Sequence, residues 1–230
     1  MSSPSIVGAA QTGEVETALA DDRVVVVAGE GGYQLAAAAA RPVGLHTLDS
    51  LLPARAEGAI PLYLVGHRDQ AAELASEWTD ETRQLTERVW PGPVTVMVPA
   101  GLDVAHVAVT PDMSVQIGMS TNRTLRKLCR DVGPLLVATM HGSDNRPLLT
   151  AADAVAACAS DDVALILEGG TCEGPGPTVV DCTVTPFVVR HEGALPESYL
   201  DATMMMGLGK KKWFSRRRAE AEPEPDGNED

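Results

Sequence analysis

TERVWPGPVTVMVPAG, residues 86–101, joins two kinds of periodicity across a proline-bounded corner. Upstream, Thr79-Asp80-Glu81 offers hydroxyl and carboxylate groups to cap the free N–H groups of a helix start. Leu85 and Val89 then fall on one helical face, with Trp90 at its edge. Pro91 ends the helix, because the residue before a proline is pushed out of the α region. Gly92-Pro93 turns the chain, and residues 94–98 read as a β-branched strand. The stretch is a helix–corner–strand joint with Trp90 as its packing anchor.

The same alternation continues outward. Residues 1–12 are expected to be flexible, Glu14 to Leu19 a short helix, and Arg23 to Val27 a buried strand. AGEGGYQLAAAAARP, from Ala28, reads as a glycine turn leading into a short helix. Short helical patterns at 47–52 and 69–77 flank a strand at 60–66; strands follow at 105–109 and 114–117. Residues 120–133 form a capped amphipathic helix ending at a glycine, 134–139 a strand, and HGSDNRP a polar loop. Thr150 caps a helix through Cys158, with Asp153 placed for a capping box. Strands at 164–168, 178–184 and 187–190 complete the set. Helices interleaved with strands over connections of varied length predict an α/β domain over 13–205 with a mixed sheet. Residues 206–230 are basic, then acidic and proline-containing, and read as a disordered tail suited to docking a protein partner.

Composition narrows the function classes. Aromatics are only 3% of the chain, so the core must be built from Val, Leu, Ala and Met. Net charge is −14, and because residues 210–230 carry six basic and six acidic groups, the body holds all of it. A body with 12 Lys+Arg against 26 Asp+Glu, and Lys127 as its single lysine, is a poor landing surface for nucleic acid. Cys129, Cys158, Cys172 and Cys182 lie far apart with no CxxC, which reads as free thiols in a reducing cytoplasm. The five histidines have no metal-ligand spacing, and no leader or membrane-spanning run is visible.

In their order these pieces resemble the YrdC family, the threonylcarbamoyl-AMP synthases. WPGPVTVMVPA looks like the family's Trp-Pro-Gly-Pro-Leu-Thr joint, PTVVDCT is similar to its Ser-Thr-Val-Val-Asp segment, and VVRHEGALP to its Arg-x-Gly-Ala-Ile ending. PLLVATMHGSDNRPLLT lies where the family has Ala-Thr-Ser-Ala-Asn-x-Ser-Gly-x-Pro. RVVVVAGEGGYQLA lies where it has a strand leading into Pro-Thr-Asp-Thr-Val-Tyr-Gly-Leu. The resemblance runs from about residue 14 to 197 and implies a twisted open mixed sheet with flanking helices around a large concave cleft. It also implies condensation of L-threonine, bicarbonate and ATP with magnesium, for modification of a tRNA adenosine. Such chemistry rests on cations along a triphosphate and hydroxyls that orient the amino acid.

By that resemblance the cleft residues are Tyr33, Arg55, Thr139, Thr178 and Arg190, with none assigned as catalytic. Several family positions are replaced. Gly29 and Gly31 stand at its Thr-x-Thr, Gln116 at its strand arginine, Met140-His141-Gly142 at its Ser-Ala-Asn, and Pro177 at its serine. Each charge-assisted hydrogen bond to a ligand is worth roughly 1.5–3 kcal/mol, so losing three or four costs on the order of 5–10 kcal/mol. Two expectations stand side by side. One is a domain with lost or altered synthase activity that binds ATP or another small molecule; the other is an active synthase with an unusual site. Individual residues carry alternatives too: Arg190 holds a phosphate or pairs with an acid such as Glu192, and Thr178 lines the cleft or merely opens a strand.

Overall fold

The computed structural model describes residues 4–52, 60–158 and 162–208. Among the described residues ten strands form one sheet: β1 Ser5–Val7, β2 Val24–Gly29, β3 Gly32–Ala38, β4 Leu62–Leu64, β5 Val94–Pro99, β6 Ser114–Gly118, β7 Leu135–Thr139, β8 Val163–Leu167, β9 Thr178–Asp181 and β10 Val188–His191. Their spatial order is β1-β8-β2-β3-β7-β4-β6-β5-β9-β10, with parallel and antiparallel pairs mixed. Among the described residues seven α-helices flank it: α1 Thr12–Ala20, α2 Pro42–Leu51, α3 Arg68–Glu73, α4 Asp80–Val89, α5 Arg123–Asp131, α6 Ala151–Ala157 and α7 Glu197–Leu208.

The opening joint folds as its chemistry dictates. Thr79 Oγ1 accepts from Thr82 N at 3.1 Å and caps α4. Trp90, 3% exposed, donates its indole N–H to Val94 O at 2.7 Å across the corner. Arg68 at the start of α3 donates to the carbonyls of Thr86, Glu87 and Trp90, satisfying the last acceptors of α4. At α5, Asn122 Oδ1 caps the N–H groups of Thr124 and Leu125, and Gly133 follows the helix at φ +89°.

Two layers of apolar side chains result. α2, α4, α6 and α7 cover one face of the sheet through Leu48, Leu85, Ala154, Leu200 and Met204. α1 and α5 cover the other face through Val15, Leu19, Leu125 and Leu128, against Val25, Val27, Ala36, Leu135 and Val137. Those two helices reach only part of their face. Directly paired residues share a side of a sheet, and the pairings Leu64–Gly118, Gly118–Thr95, Gln116–Met97 and Met97–Asp181 carry the second face on beyond α5. There Leu62, Met97, Gln116 and Val179 are only half-buried.

Four expectations need correction. The N-terminal stretch, expected to be flexible, supplies β1, because Ser5–Val7 can extend the sheet beside Leu165–Leu167. The alanine run is a central strand, not a helix: Glu30-Gly31 makes a two-residue hairpin turn, with Gly31 at φ +83°, and Gln34–Ala38 pair with β2 and β7. Residues 106–108 form a single 3-10 turn. The tail boundary at 206 falls inside α7, which runs to Leu208; the rest of the expected tail, 209–230, lies outside the described residues.

Candidate functional site

The uncovered side of the second face is the natural place for a ligand, because there strand side chains meet solvent rather than helices. Across it, pairing register sets on one face Gln34 on β3 opposite Thr139 on β7, Leu62 on β4, and the row Leu64 on β4, Gly118 on β6 and Thr95 on β5. On this face lies a recess whose lining includes Glu30, Gln34, Leu62, Leu64, Thr95 and Ser120, together with Pro93 and Pro177. About 20 Å³ is open to solvent there, room for about one water molecule.

Two side chains make the recess small. Gln34 is 5% exposed, and its carboxamide lies over Gly29 so closely that a Cβ on Gly29 would come 2.3 Å from Gln34 Oε1. Glu30 spans the mouth: its Oε1 accepts from Ser120 Oγ at 2.8 Å, Thr121 N at 2.7 Å and Thr121 Oγ1 at 3.1 Å. The β2–β3 turn is thereby tied to the start of α5, where Arg126 donates to Ser120 O at 2.6 Å. The described lining contains a carboxylate and no Lys, Arg or His. A phosphate 4 Å from Glu30 would meet repulsion of about 1 kcal/mol at the dielectric of water and about 4 kcal/mol at that of a protein surface.

The residues named from sequence separate between the two faces. Thr139 is on this face opposite Gln34, half-buried, with its Oγ1 3.4 Å from Gln34 Nε2. Tyr33, next to Gln34 on β3, points to the opposite face. Its hydroxyl donates to Gly170 O at 2.9 Å and accepts from Gly169 N at 3.3 Å, and burial pushes its pKa up. Thr178, fully buried, is a junction on that same far side. Its Oγ1 accepts from Gly193 N and Leu195 N, each at 3.0 Å, and donates to Leu195 O.

Arg190 reaches the open face but is already engaged. It donates through Nε at 2.9 Å and through a terminal nitrogen to Asp181 Oδ2, and Asp181 is the acid it meets rather than Glu192. Burial alone would raise the Asp181 carboxyl, but hydrogen bonds from Thr183 and Arg190 outweigh it and hold the group below the usual carboxylate range. Arg55 lies outside the described residues. The structure thus places Thr139 and Arg190 on one face with four strands between them, and turns Tyr33 and Thr178 into the scaffold.

The 140–148 loop does not offer polar groups to the recess either. Met140 N donates to Tyr33 O, Leu148 N to Met140 O, and Gly142 N to Arg146 O, closing the loop into a small hairpin with His141 exposed. Reading the sequence for retained residues missed Glu30 and Gln34. The signal was present in the motif already quoted: aligned on Tyr33, its aspartate falls at Glu30 and its final glycine at Gln34.

Among the described residues no group of three or more His, Cys, Asp or Glu could hold a metal ion, and no helix is long and apolar enough to cross a membrane. The four cysteines are free; burial raises the thiols of Cys129 and Cys182 to about 12, too high for thiolate chemistry at neutral pH.

The Sua5/YciO/YrdC family model, described as "Telomere recombination", matches residues 17–193. A threonylcarbamoyl-AMP synthase of Pyrococcus abyssi is 30% identical over 129 residues, 56% of this chain and 38% of that protein. The chain thus spans well under half of that relative. A second, from Photobacterium profundum, is 22% identical over 77% of this chain and 97% of its own length. Among solved structures, P. abyssi Sua5 complexed with L-threonine superposes with a TM-score of 0.76 at 21% identity, covering 86% of this chain and 60% of that one. E. coli YciO gives 0.72 at 16% identity, over 85% and 98%. The family match extends from α1 past β10 and takes in the corner, the hairpin and the 178–181 strand, so the chain belongs to the Sua5/YciO/YrdC family and is related to the threonylcarbamoyl-AMP synthases.

Proposed function

We propose that this protein is a YrdC-type domain in which the synthase reaction is lost or altered, and which acts as a small-molecule binding or regulatory module. One observation carries the reading: the recess on the open sheet face is filled by Gln34 and bridged by Glu30, with no cation in its described lining. Adenylyl transfer from ATP places most of its catalysis in positioning and in cations that stabilise phosphate charge. Arg190, the closest counterpart of a family arginine, spends its guanidinium on Asp181. Freeing it would leave a buried carboxylate short of its ionic partner, a cost that binding would have to overcome.

The test is pyrophosphate release from ATP in the presence of L-threonine and bicarbonate, together with complementation of a strain lacking its own synthase. The expected outcome is no release above background and no complementation. Robust turnover would replace this reading with that of an active synthase whose backbone N–H groups and remaining arginines suffice. Calorimetry with ATP, with and without L-threonine, separates a site that binds without turnover from one that no longer takes either compound.

A further inference from the structure

α7 carries apolar residues on both of its sides, although only one side packs on the body. Leu200 and Met204 are fully buried and Thr203 is buried beside them. On the outward side Tyr199 is 51% exposed and Met206 83%, with exposed Ala202 between them. At 3.6 residues per turn these three positions fall in one stripe. A helix that is apolar all round belongs inside a structure, so the stripe calls for a cover. The acids of α7, Glu197 and Asp201, lie in its first half, and it holds no lysine or arginine. Glu192 stands at the same end, its Oε1 accepting from Glu197 N at 2.6 Å.

The stripe is too small for a second copy of the chain: three side chains fall far short of the roughly 800 Å² that each partner of a stable dimer buries. Two aromatic side chains, at about 150–250 Å² each, are of its size. The sequence supplies them close by. GKKKWFSRRR, 209–218, follows α7 and lies outside the described residues; Trp213 and Phe214 are the only large apolar residues between 209 and 230. Taken backwards from its C-terminus, α7 presents the negative end of a helix dipole, then the apolar stripe, then Glu197 and Glu192. The segment offers three lysines, two aromatics and three arginines in the matching order. Reach is sufficient. Tyr199 lies about 14 Å along the helix from Leu208, and the five residues from Gly209 to Trp213 span up to about 17 Å when extended.

We propose that residues 209–218 fold back on the α7 of their own chain, with Trp213 and Phe214 covering Tyr199, Ala202 and Met206. The lysines then sit at the helix end and the arginines towards Glu197 and Glu192. Gly209 suits the reversal, since glycine readily takes the left-handed backbone in which helices commonly end. This docking is independent of any chemistry at the open sheet face.

Trypsin cuts after the six bases of the segment, so the rate of cleavage there reports the undocked fraction. In the full chain, cleavage within 210–218 is expected to be at least about fivefold slower than in a free peptide of residues 209–218. It should return to near the peptide rate in the Trp213→Ala/Phe214→Ala double variant. The same is expected of Ala202→Arg, which sets a long cation in the stripe. The double variant should also lower the melting temperature by about 2–4 °C, and by nothing further in the Ala202→Arg background. Circular dichroism confirms folding, and Met206→Gln replaces Ala202→Arg if that variant does not fold. Equal cleavage rates in the full chain, the variants and the peptide would overturn the proposal. So would melting-temperature shifts that add across the two backgrounds, or protection that sedimentation finds only in a dimer.

Discussion

Thr178 is a single hydroxyl serving three backbone groups, and its work in this fold is structural. By accepting from Gly193 and Leu195 and donating back to Leu195, it holds the segment after β10 against the start of β9. Gly193 has no room for a larger residue, since a Cβ there would come within 2.5 Å of the Gly176 and Pro177 backbone. Thr178→Val keeps the shape and removes the hydroxyl, leaving two N–H groups without their acceptor. We expect a loss of about 2 kcal/mol in urea denaturation, with no change in any ligand affinity. Arg190 supports an electrostatic prediction. Because the folded Asp181 carboxyl is held below its ordinary value, its contribution to stability is present above the unfolded carboxylate pKa of about 3.9 and is lost as pH falls through the lower folded value. Arg190→Ala removes one of the groups that lower it. The acid limb of the melting-temperature profile should then begin at higher pH, and stability at neutral pH should fall by about 1–3 kcal/mol. An unchanged acid limb would show that Thr183 alone holds the carboxylate.

At the scale of elements, the corner at 90–94 is the most legible feature of the chain, because every part of it is local. A capped helix, a proline stop and a β-branched run specify themselves within residues 79–98, and the buried indole then adds its hydrogen bond to Val94. Trp90→Ala should cost about 3–5 kcal/mol, as large aromatic deletions in cores do, and Trp90→Phe about 1–2 kcal/mol for the lost N–H donor. Chemical denaturation of the two variants checks the order as well as the size. The alanine run was illegible for the opposite reason. Alanine is the best helix former, and only non-local pairing, with β2 through the Glu30-Gly31 turn and with β7 a hundred residues on, makes a strand of it. Its small side chains bring α2 onto one face of β3 and α1 onto the other. α7 was missed although its signal was readable: Pro196 precedes it, and Leu200, Thr203 and Met204 recur at helical spacing. The site was legible only in outline, since sequence shows which residues are kept but not which face of a strand each will occupy. One step along β3 separates Tyr33 in the scaffold from Gln34 in the recess.

The whole molecule is defined by where its few cations go. Between residues 1 and 209 there are 12 Lys+Arg against 26 Asp+Glu, and the structure binds many of the twelve to its own acceptors. Lys127 bridges Glu16 and Asp131, Arg190 pairs with Asp181, Arg68 serves the end of α4, and Arg126 holds Ser120 O. Arg83 and Arg146 lie beside Asp80 and Asp144. These six are engaged within the body, and its net field repels a polyanion. The concentrated basic segment is KKKWFSRRR at 210–218, and it is followed at 219–230 by six acidic residues that cancel its six charges. Polyanion affinity grows with the number of phosphates neutralised and falls steeply with salt. The full chain is therefore expected to pass a heparin column unretained at about 0.15 M salt, where charges beyond about 8 Å are screened. Deleting 219–230 removes the compensating acids and should produce retention that added salt abolishes; deleting 209–230 should remove it again. Retention of the chain lacking 209–230 would place a cationic surface on the body itself, and the account of its arginines as internally committed would fail.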